Sequence, residues 1–283
     1  MTAETARAAL TPMKVMVKRH GLLVRLNHWV NVIALVLLLG SGLQIFNAHA
    51  ALYWGKASNF DHPWFSMYAE RSKDGAQMKG FTTLGSAKVE TTGVFGASKL
   101  DGKWQDQGFP GWMTVPGGEF DLTNGRHWHL FFAWVFAVNG LIYLVTGLIG
   151  RHLIRDVLPS GRDLKTIFKD PHLRLKFSKG PESARYHQVQ KLAYSGVVFL
   201  LLPTIALTGM TMSPGLNAAF PFLLDLFGGR QGARSIHFIC ANLIVAFVIV
   251  HLLAVILSGP LNQVRAMLTG KLAIIPSDEE AHS

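Results

Sequence analysis

Five histidines lie within the long apolar runs of the sequence or at their ends, and they are the residues best suited to chemistry. They are His28, His127, His129, His237 and His251. An imidazole inside a membrane segment is costly to bury and is by default a functional hypothesis. His237 and His251 are 14 residues apart. On an α-helix of about 3.6 residues per turn, this spacing places both rings on one face, roughly 21 Å apart along the axis.

That separation excludes one metal ion between the two histidines and predicts two sites at two depths. Each site needs a second ligand at its own level: His28 beside His251, and either His127 or His129 beside His237. Two bis-histidine pairs are the ligand set of two b-type haems. The chain's one cysteine forms no Cys-x-x-Cys-His motif, which excludes c-type attachment, and neither level offers Cys, Asp or Glu for zinc. Taken singly, a membrane histidine more often joins two helices by a hydrogen bond, so it is the pairing that favours haem.

The sequence around these histidines predicts membrane helices. Hydrophobic residues make up 49% of the 283 residues and charged residues only 16%, where about 25% is usual in soluble domains. Each uncharged stretch is long enough to cross a bilayer, which takes about 20 apolar residues, and lipid requires such a span to be helical. We therefore predict an all-α integral membrane protein, a single four-helix haem-binding bundle over residues 1–283. The predicted spans are 26–47, 127–150, 190–212 and 234–258, with a long insertion at 48–126 and a loop at 151–189.

The distribution of charge predicts the orientation of the spans. The chain carries a net charge of +10. Three segments together hold 17 Lys and Arg against 8 Asp and Glu: residues 1–25, 151–191 and 265–283. Because positive residues stay inside, both termini and the loop 151–189 are expected in the cytoplasm of a bacterium, with the insertion in the periplasm and the spans in the inner membrane. The basic balance is therefore a topology signal, and no nucleic-acid partner is predicted.

Residues near the predicted ligands indicate how a haem would be held. Arginine suits a haem propionate, although arginines at membrane edges are also common anchors; the candidates are Arg25, Arg126 and Arg234. Glycines in the spans would let a macrocycle approach the backbone, although small residues also simply pack membrane helices together. These glycines are Gly40, Gly42, Gly140, Gly147 and Gly209.

Several motifs make the chain resemble a known family. They are Arg25-Leu-Asn-His28-Trp29, Trp128-His129-Leu-Phe-Phe-Ala-Trp134, Tyr186-His187-Gln188-Val189-Gln190 and the run from Gly228 through Arg234 to His237. Together they resemble the bacterial cytochrome b561-type di-haem membrane subunits, most closely the thiosulfate-reductase-type cytochrome b branch. The wider group includes the membrane subunits of formate dehydrogenases and nickel–iron hydrogenases.

The resemblance implies specific ligands and an activity. His28 with His251 would hold the cytoplasmic-side haem b, and His129 with His237 the periplasmic-side haem b, which favours His129 over His127. The implied function is electron transfer between membrane quinone and a periplasmic oxidoreductase, a molybdopterin enzyme of the sulfite-oxidase-like type. Two alternatives are a self-contained quinone-linked enzyme such as a superoxide oxidase, and the cytochrome b subunit of a hydrogenase or formate dehydrogenase. A transporter or haem-free scaffold is a further class, disfavoured because the spans lack acidic residues for a proton relay.

Electron transfer of this kind also calls for a quinone site and a docking surface, although the resemblance itself says nothing about the role of residues 60–118. Quinone needs groups that exchange protons near one haem, and the candidates at the cytoplasmic level are Asn27, Asn31, Tyr186, His187 and Gln190. The insertion would dock the periplasmic partner through its tryptophans, although anchoring at the membrane interface is an alternative role for about half of them. These are Trp54, Trp64, Trp104 and Trp112.

Overall fold

The chain folds into two compact units that share the long helices. The computed structural model describes residues 15–72, 77–150, 153, 157–158 and 188–274. The termini-side unit comprises Met1–Trp29, Ile142–Phe199 and Ile244–Ser283. The insertion-side unit comprises Val30–Leu141 and Leu200–Leu243. Each unit contains one of the predicted histidine pairs.

Four helical stretches are long and apolar enough to cross a membrane, and they confirm the predicted spans. Span 1 is α1 and span 2 is α2; span 3 is α3 and α4 joined by a π-helical turn, Val197–Leu201; span 4 is α7. Apolar side chains such as Leu141 and Ile149 point outward, 62% and 80% exposed, as expected where lipid covers a helix. The described helices are α1 (Leu22–Phe46), α2 (Leu122–Ile149), α3 (Gln188–Gly196), α4 (Leu202–Met212), α5 (Pro214–Ala219), α6 (Phe222–Leu226), α7 (Arg230–Leu257) and α8 (Pro260–Thr269).

The insertion is a β structure, so the predicted all-α class is correct for the spans and wrong for residues 48–126. A four-stranded antiparallel sheet has the order β2-β3-β4-β5, and β6 pairs with β7 in a separate hairpin. The turns are short: Gly85 and Asp101-Gly102 take positive φ, as two-residue hairpin turns require. The strands are β2 (Ala51–Leu52), β3 (Phe65–Arg71), β4 (Met78–Leu84), β5 (Ala87–Glu90), β6 (Gly96–Leu100) and β7 (Lys103–Gln107).

The core of the insertion continues into the spans. Phe46, Leu52, Met67 and Phe109 form a buried cluster, and Phe238 of span 4 packs against it. The rings of Phe46 and Phe238 stack with their centres 5.0 Å apart. Because Phe238 follows the predicted ligand His237, the insertion rests directly on the part of span 4 that carries this histidine.

A polar clasp reinforces the same contact. The side chain of Asn47 donates to the carbonyl of Phe109 at 2.9 Å and accepts from its N–H at 2.7 Å. Trp64 Nε1 donates to Ser235 Oγ at 2.9 Å, and Ser235 Oγ donates to the carbonyl of Tyr53 at 2.6 Å. These bonds join the β structure to the ends of spans 1 and 4.

In the termini-side unit the two described ends of the chain pair with each other. β1 (Val15–Lys18) is antiparallel to β8 (Lys271–Ile274). The carbonyl of Gly270 accepts from the N–H of Arg19 at 2.8 Å, and Trp29 Nε1 donates to the carbonyl of Met267 at 3.3 Å. This pairing agrees with both termini lying on one side. That the side is cytoplasmic stays a prediction, and most of the loop 151–189 lies outside the described residues.

Candidate functional site

The insertion-side pair of histidines, His129 on span 2 and His237 on span 4, brings two imidazole rings close together. Their ring centres are 6.2 Å apart and their planes are inclined at 62°. With metal–imidazole bonds of about 2 Å and a ring radius of about 1 Å, two imidazoles that bound one metal between them would have their centres roughly 6 Å apart. The separation therefore fits a bis-histidine haem.

Hydrogen bonds decide which nitrogen of His129 is free to ligate. Its Nδ1 lies 3.1 Å from the carbonyl of Leu38 and 3.1 Å from Ser41 Oγ, both on span 1. A carbonyl can only accept, so Nδ1 carries the proton and donates. Nε2 then keeps its lone pair, as an iron ligand requires.

His237 is held in the same way by span 3. Its Nδ1 lies 3.0 Å from the carbonyl of Ile205 and 3.1 Å from Thr208 Oγ1. The same argument assigns the proton to Nδ1 and leaves Nε2 to ligate. Span 1 thus supports the predicted ligand on span 2, and span 3 supports the predicted ligand on span 4.

Two glycines make room for these rings. A Cβ on Gly42 would lie 3.3 Å from His129 Cε1, and a Cβ on Gly209 would lie 3.3 Å from His237 Cε1. Both glycines therefore accommodate a ligand imidazole, where the sequence had suggested close approach of a macrocycle. Gly40 and Gly147 pack against Val115 and Leu153, whereas no neighbouring atom of the described residues beyond its own helix turn lies within 4 Å of the position that a Cβ on Gly140 would take.

The termini-side pair, His28 on span 1 and His251 on span 4, has similar spacing. The ring centres are 6.5 Å apart and the planes are inclined at 54°. His28 Nδ1 is buried with no hydrogen-bond partner in the described part of the chain. Trp29 contacts the ring of His28 edge-on, and Phe247 stacks on His251 at 6.0 Å. The spacing fits a second haem, and the described ring contacts of this pair are with the aromatic side chains of Trp29 and Phe247.

In the described part of the chain, neither histidine pair has a third metal-ligating side chain beside it. Among the described residues, no group of three or more His, Cys, Asp or Glu could hold a bare metal ion. Zinc would need four ligands and a pair of histidines offers two, whereas a haem brings nitrogen ligands of its own and would need only the two histidines. The donor set therefore fits haem better than zinc.

The three candidate propionate arginines differ in their contacts. Arg234 donates from its two terminal nitrogens to the carbonyls of His49 and Ala51, the latter at 2.8 Å, and lies 5.5 Å from the centre of the Phe46 ring. It therefore serves the clasp between insertion and span 4. Arg25 donates to the carbonyl of Leu268.

The candidate residues near the start of span 2 differ in exposure. Arg126 is exposed, and so is His127, whereas His129 is partly buried and faces His237. The structure thus brings His129, and not His127, opposite His237. A propionate role for any of the three arginines stays a prediction.

The predicted quinone residues are only partly described. Asn27 is buried, and the amide oxygen of Asn31 accepts a hydrogen bond from Asn139 Nδ2 at 2.9 Å. Tyr186 and His187 lie outside the described residues, and Gln190 belongs to α3 with its side chain undescribed. The quinone pocket therefore stays a prediction.

Two polar residues near the site went unnoticed in the sequence. Ser41 and Thr208 each precede a glycine within a span and are fully buried. A Ser-Gly or Thr-Gly dipeptide at the level of a predicted ligand was the available signal, but only packing shows which histidine it meets.

Outside the spans, burial and the nearby charge of Arg234 lower the pKa of His49, whose Nε2 lies 3.0 Å from the hydroxyl of Tyr53.

Comparisons with known proteins point to one family. The sequence model described as prokaryotic cytochrome b561 matches residues 19–270. A curated relative from Azospira oryzae, named putative protein-methionine-sulfoxide reductase subunit YedZ1, is 28% identical over 236 residues, which cover 83% of this chain and 88% of the relative. No solved structure matches the chain significantly.

Proposed function

Because this chain belongs to the prokaryotic cytochrome b561 family, we propose that it is a membrane subunit with two haems b, which carries electrons between quinone and a periplasmic oxidoreductase. The proposal is supported by the pair of neighbouring imidazoles in each unit, whose ring centres are 6.2 Å apart in one and 6.5 Å apart in the other. Membership of the family accounts for haem b itself. The number of haems and the link to quinone are the parts proposed here.

The residues of the chain would act by holding and insulating the redox groups. Bound haem b supplies reversible one-electron exchange. His129 and His237 would present Nε2 because their Nδ1–H groups are committed to the carbonyls of Leu38 and Ile205. The apolar spans exclude water, which disfavours the extra charge of a ferric haem and raises its reduction potential.

The partner is proposed to be a molybdopterin enzyme that reduces methionine sulfoxide. The support for the substrate is the relative whose name describes a subunit of a protein-methionine-sulfoxide reductase, and the molybdopterin enzyme is what the family resemblance implies. The insertion offers a folded surface for docking, on which Trp54 and Trp112 are 56% and 76% exposed. Trp64 is less suited, because it hydrogen-bonds Ser235 and stacks against Trp54.

Haem stoichiometry tests the ligand assignment. The purified protein is expected to bind two haems b, and His237→Ala or His251→Ala should each remove one. His129→Ala should resemble His237→Ala, and the exposed neighbour His127→Ala is the matched control that should keep both haems. A wild-type protein with one haem, or a His127→Ala variant that loses a haem while His129→Ala keeps it, would refute the assignment.

Purification from the native membrane separates this function from a self-contained enzyme. A docked reductase should co-purify with the chain and should reoxidise its haems after quinol reduction, when methionine sulfoxide is added. Turnover of a small oxidant such as superoxide by the isolated subunit, with no co-purifying oxidoreductase, would favour the self-contained alternative.

A further inference from the structure

The two insertion-side histidines are supported by matching arrangements on two different helices. On span 1, Ser41 lies next to Gly42 and contacts His129; on span 3, Thr208 lies next to Gly209 and contacts His237. In each case the ring Nδ1 meets a hydroxyl and a main-chain carbonyl at 3.0–3.1 Å. Two helices with unrelated sequences therefore present the same set of atoms to the two ligands.

The hydroxyl hydrogens are already committed elsewhere. Ser41 Oγ donates to the carbonyl of Leu37 at 2.5 Å, and Thr208 Oγ1 donates to the carbonyl of Thr204 at 2.8 Å. Both side chains have no exposed surface. Each oxygen therefore turns its lone pairs toward the imidazole and accepts from Nδ1–H, together with the carbonyl.

Hydroxyls that bond back to their own helix are common in membrane helices and often serve only the backbone. Thr146 on span 2 does this, since it donates to the carbonyl of Ile142 at 2.7 Å, and its side chain is only partly buried. Ser41 and Thr208 differ from Thr146 because each also lies within hydrogen-bond distance of a ligand ring. Thr146 therefore provides a matched control.

We propose that Ser41 and Thr208 are positioning residues. They fix the orientation of His129 and His237, and they lower the reduction potential of the haem that these two histidines would hold. An acceptor at Nδ1–H makes the imidazole a stronger donor through Nε2, which stabilises ferric over ferrous iron. The proposal rests on the proposed function, because it takes the two histidines as haem ligands.

The termini-side pair provides an internal reference. His28 Nδ1 is buried and has no acceptor in the described part of the chain. Removing a hydroxyl from span 1 or span 3 at the level of His129 should therefore change one haem potential and leave the other in place.

The test is a redox titration of the purified two-haem protein with Ser41→Ala, Thr208→Val and the control Thr146→Ala. Loss of one acceptor should change the ferric-to-ferrous ratio of one haem about threefold to tenfold toward ferrous, a rise of roughly 30 to 60 mV for a one-electron couple. The low-spin ferric EPR signal of the same haem, which depends on the angle between the imidazole planes, should change as well. Ser41→Thr and Thr208→Ser keep the hydroxyl and should restore the wild-type potential and signal.

The outcomes separate this inference from the function on which it rests. One outcome is that the wild-type protein holds two haems while Ser41→Ala and Thr208→Val both keep the wild-type reduction potential and EPR signal. In that case the positioning role is wrong and the ligand assignment stands. If His129→Ala leaves the haem content unchanged, the proposed function fails first. Loss of one haem in Thr208→Val, with its retention in Thr208→Ser and Thr146→Ala, supports the positioning role.

Discussion

Replacing Gly209 by alanine should weaken haem binding on the insertion side through contact with a single ring atom. The added methyl would lie 3.3 Å from His237 Cε1, and carbon atoms prefer a separation of about 3.5–4.0 Å. The ring of His237 is restrained from moving away, because its Nδ1 is hydrogen-bonded at 3.0 Å to the carbonyl of Ile205 and at 3.1 Å to Thr208 Oγ1. The ring must therefore move by a few tenths of an ångström or lengthen both bonds.

The cost of this crowding sets the expected size of the effect. Overpacking a well-packed site costs about 1–3 kcal/mol. If the whole cost falls on the ligand-bound geometry, affinity for the haem drops about 5-fold to 150-fold, since about 1.4 kcal/mol corresponds to tenfold. Gly42→Ala should act in the same way, because its methyl would lie 3.3 Å from His129 Cε1.

The rate at which haem passes to excess apomyoglobin, read from absorbance, measures this affinity. Gly209→Ala and Gly42→Ala should each release one of two haems faster than wild type. Gly140→Ala on span 2 is the matched control, because in the described part of the chain no atom outside its own helix turn lies within 4 Å of the position its methyl would take. Wild-type release from Gly209→Ala and Gly42→Ala, or equally fast release from Gly140→Ala, would refute the argument.

Three further predictions concern the insertion and its attachment. Asn47→Ala should leave the N–H and carbonyl of Phe109 without their partner, at about 1–3 kcal/mol for each buried group, so the insertion should become sensitive to limited proteolysis at a lower temperature. Hydrogen bonds from the backbone and side chain of Asn124 hold the pKa of Asp121 below its usual value. Its stabilisation is therefore complete above the pKa of the unfolded carboxyl and is lost as the pH falls through the lower folded pKa; Asp121→Ala should remove that acid-side dependence from thermal unfolding curves. Trp112→Ala, at a side chain 76% exposed, should weaken co-purification of the periplasmic partner and leave haem content unchanged, and unchanged co-purification would remove Trp112 from the docking surface.

The positions of the spans and the shared face of His237 and His251 followed from simple patterns. Uncharged length predicted the four spans, and the 14-residue spacing placed His237 and His251 on one face of one helix. The spacing also left His127 and His129 as equal candidates. Their separation needed the family resemblance first, and then the structure, in which the ring of His129 faces His237 while His127 is exposed.

The β structure of the insertion escaped prediction although part of its signal was present. Asp101-Gly102 is a typical two-residue hairpin turn and separates β6 from β7. The strands themselves are short and rich in polar residues, and several of their side chains are exposed. Alternation of apolar and polar residues is weak in such strands, so the surrounding loop-like composition dominated.

Helical periodicity and charge act within one segment, so they establish where each span lies and which face of span 4 carries the ligands. The support of those ligands depends on neighbours that are distant in sequence: Ser41 meets His129 across 88 positions, and Thr208 meets His237 across 29. The same holds for Arg234, which hydrogen-bonds the carbonyls of His49 and Ala51, more than 180 positions away in the sequence. Such contacts are settled only when helices pack, because a hydrogen bond depends on the distance and direction between two atoms, and no spacing within a single helix contains that information.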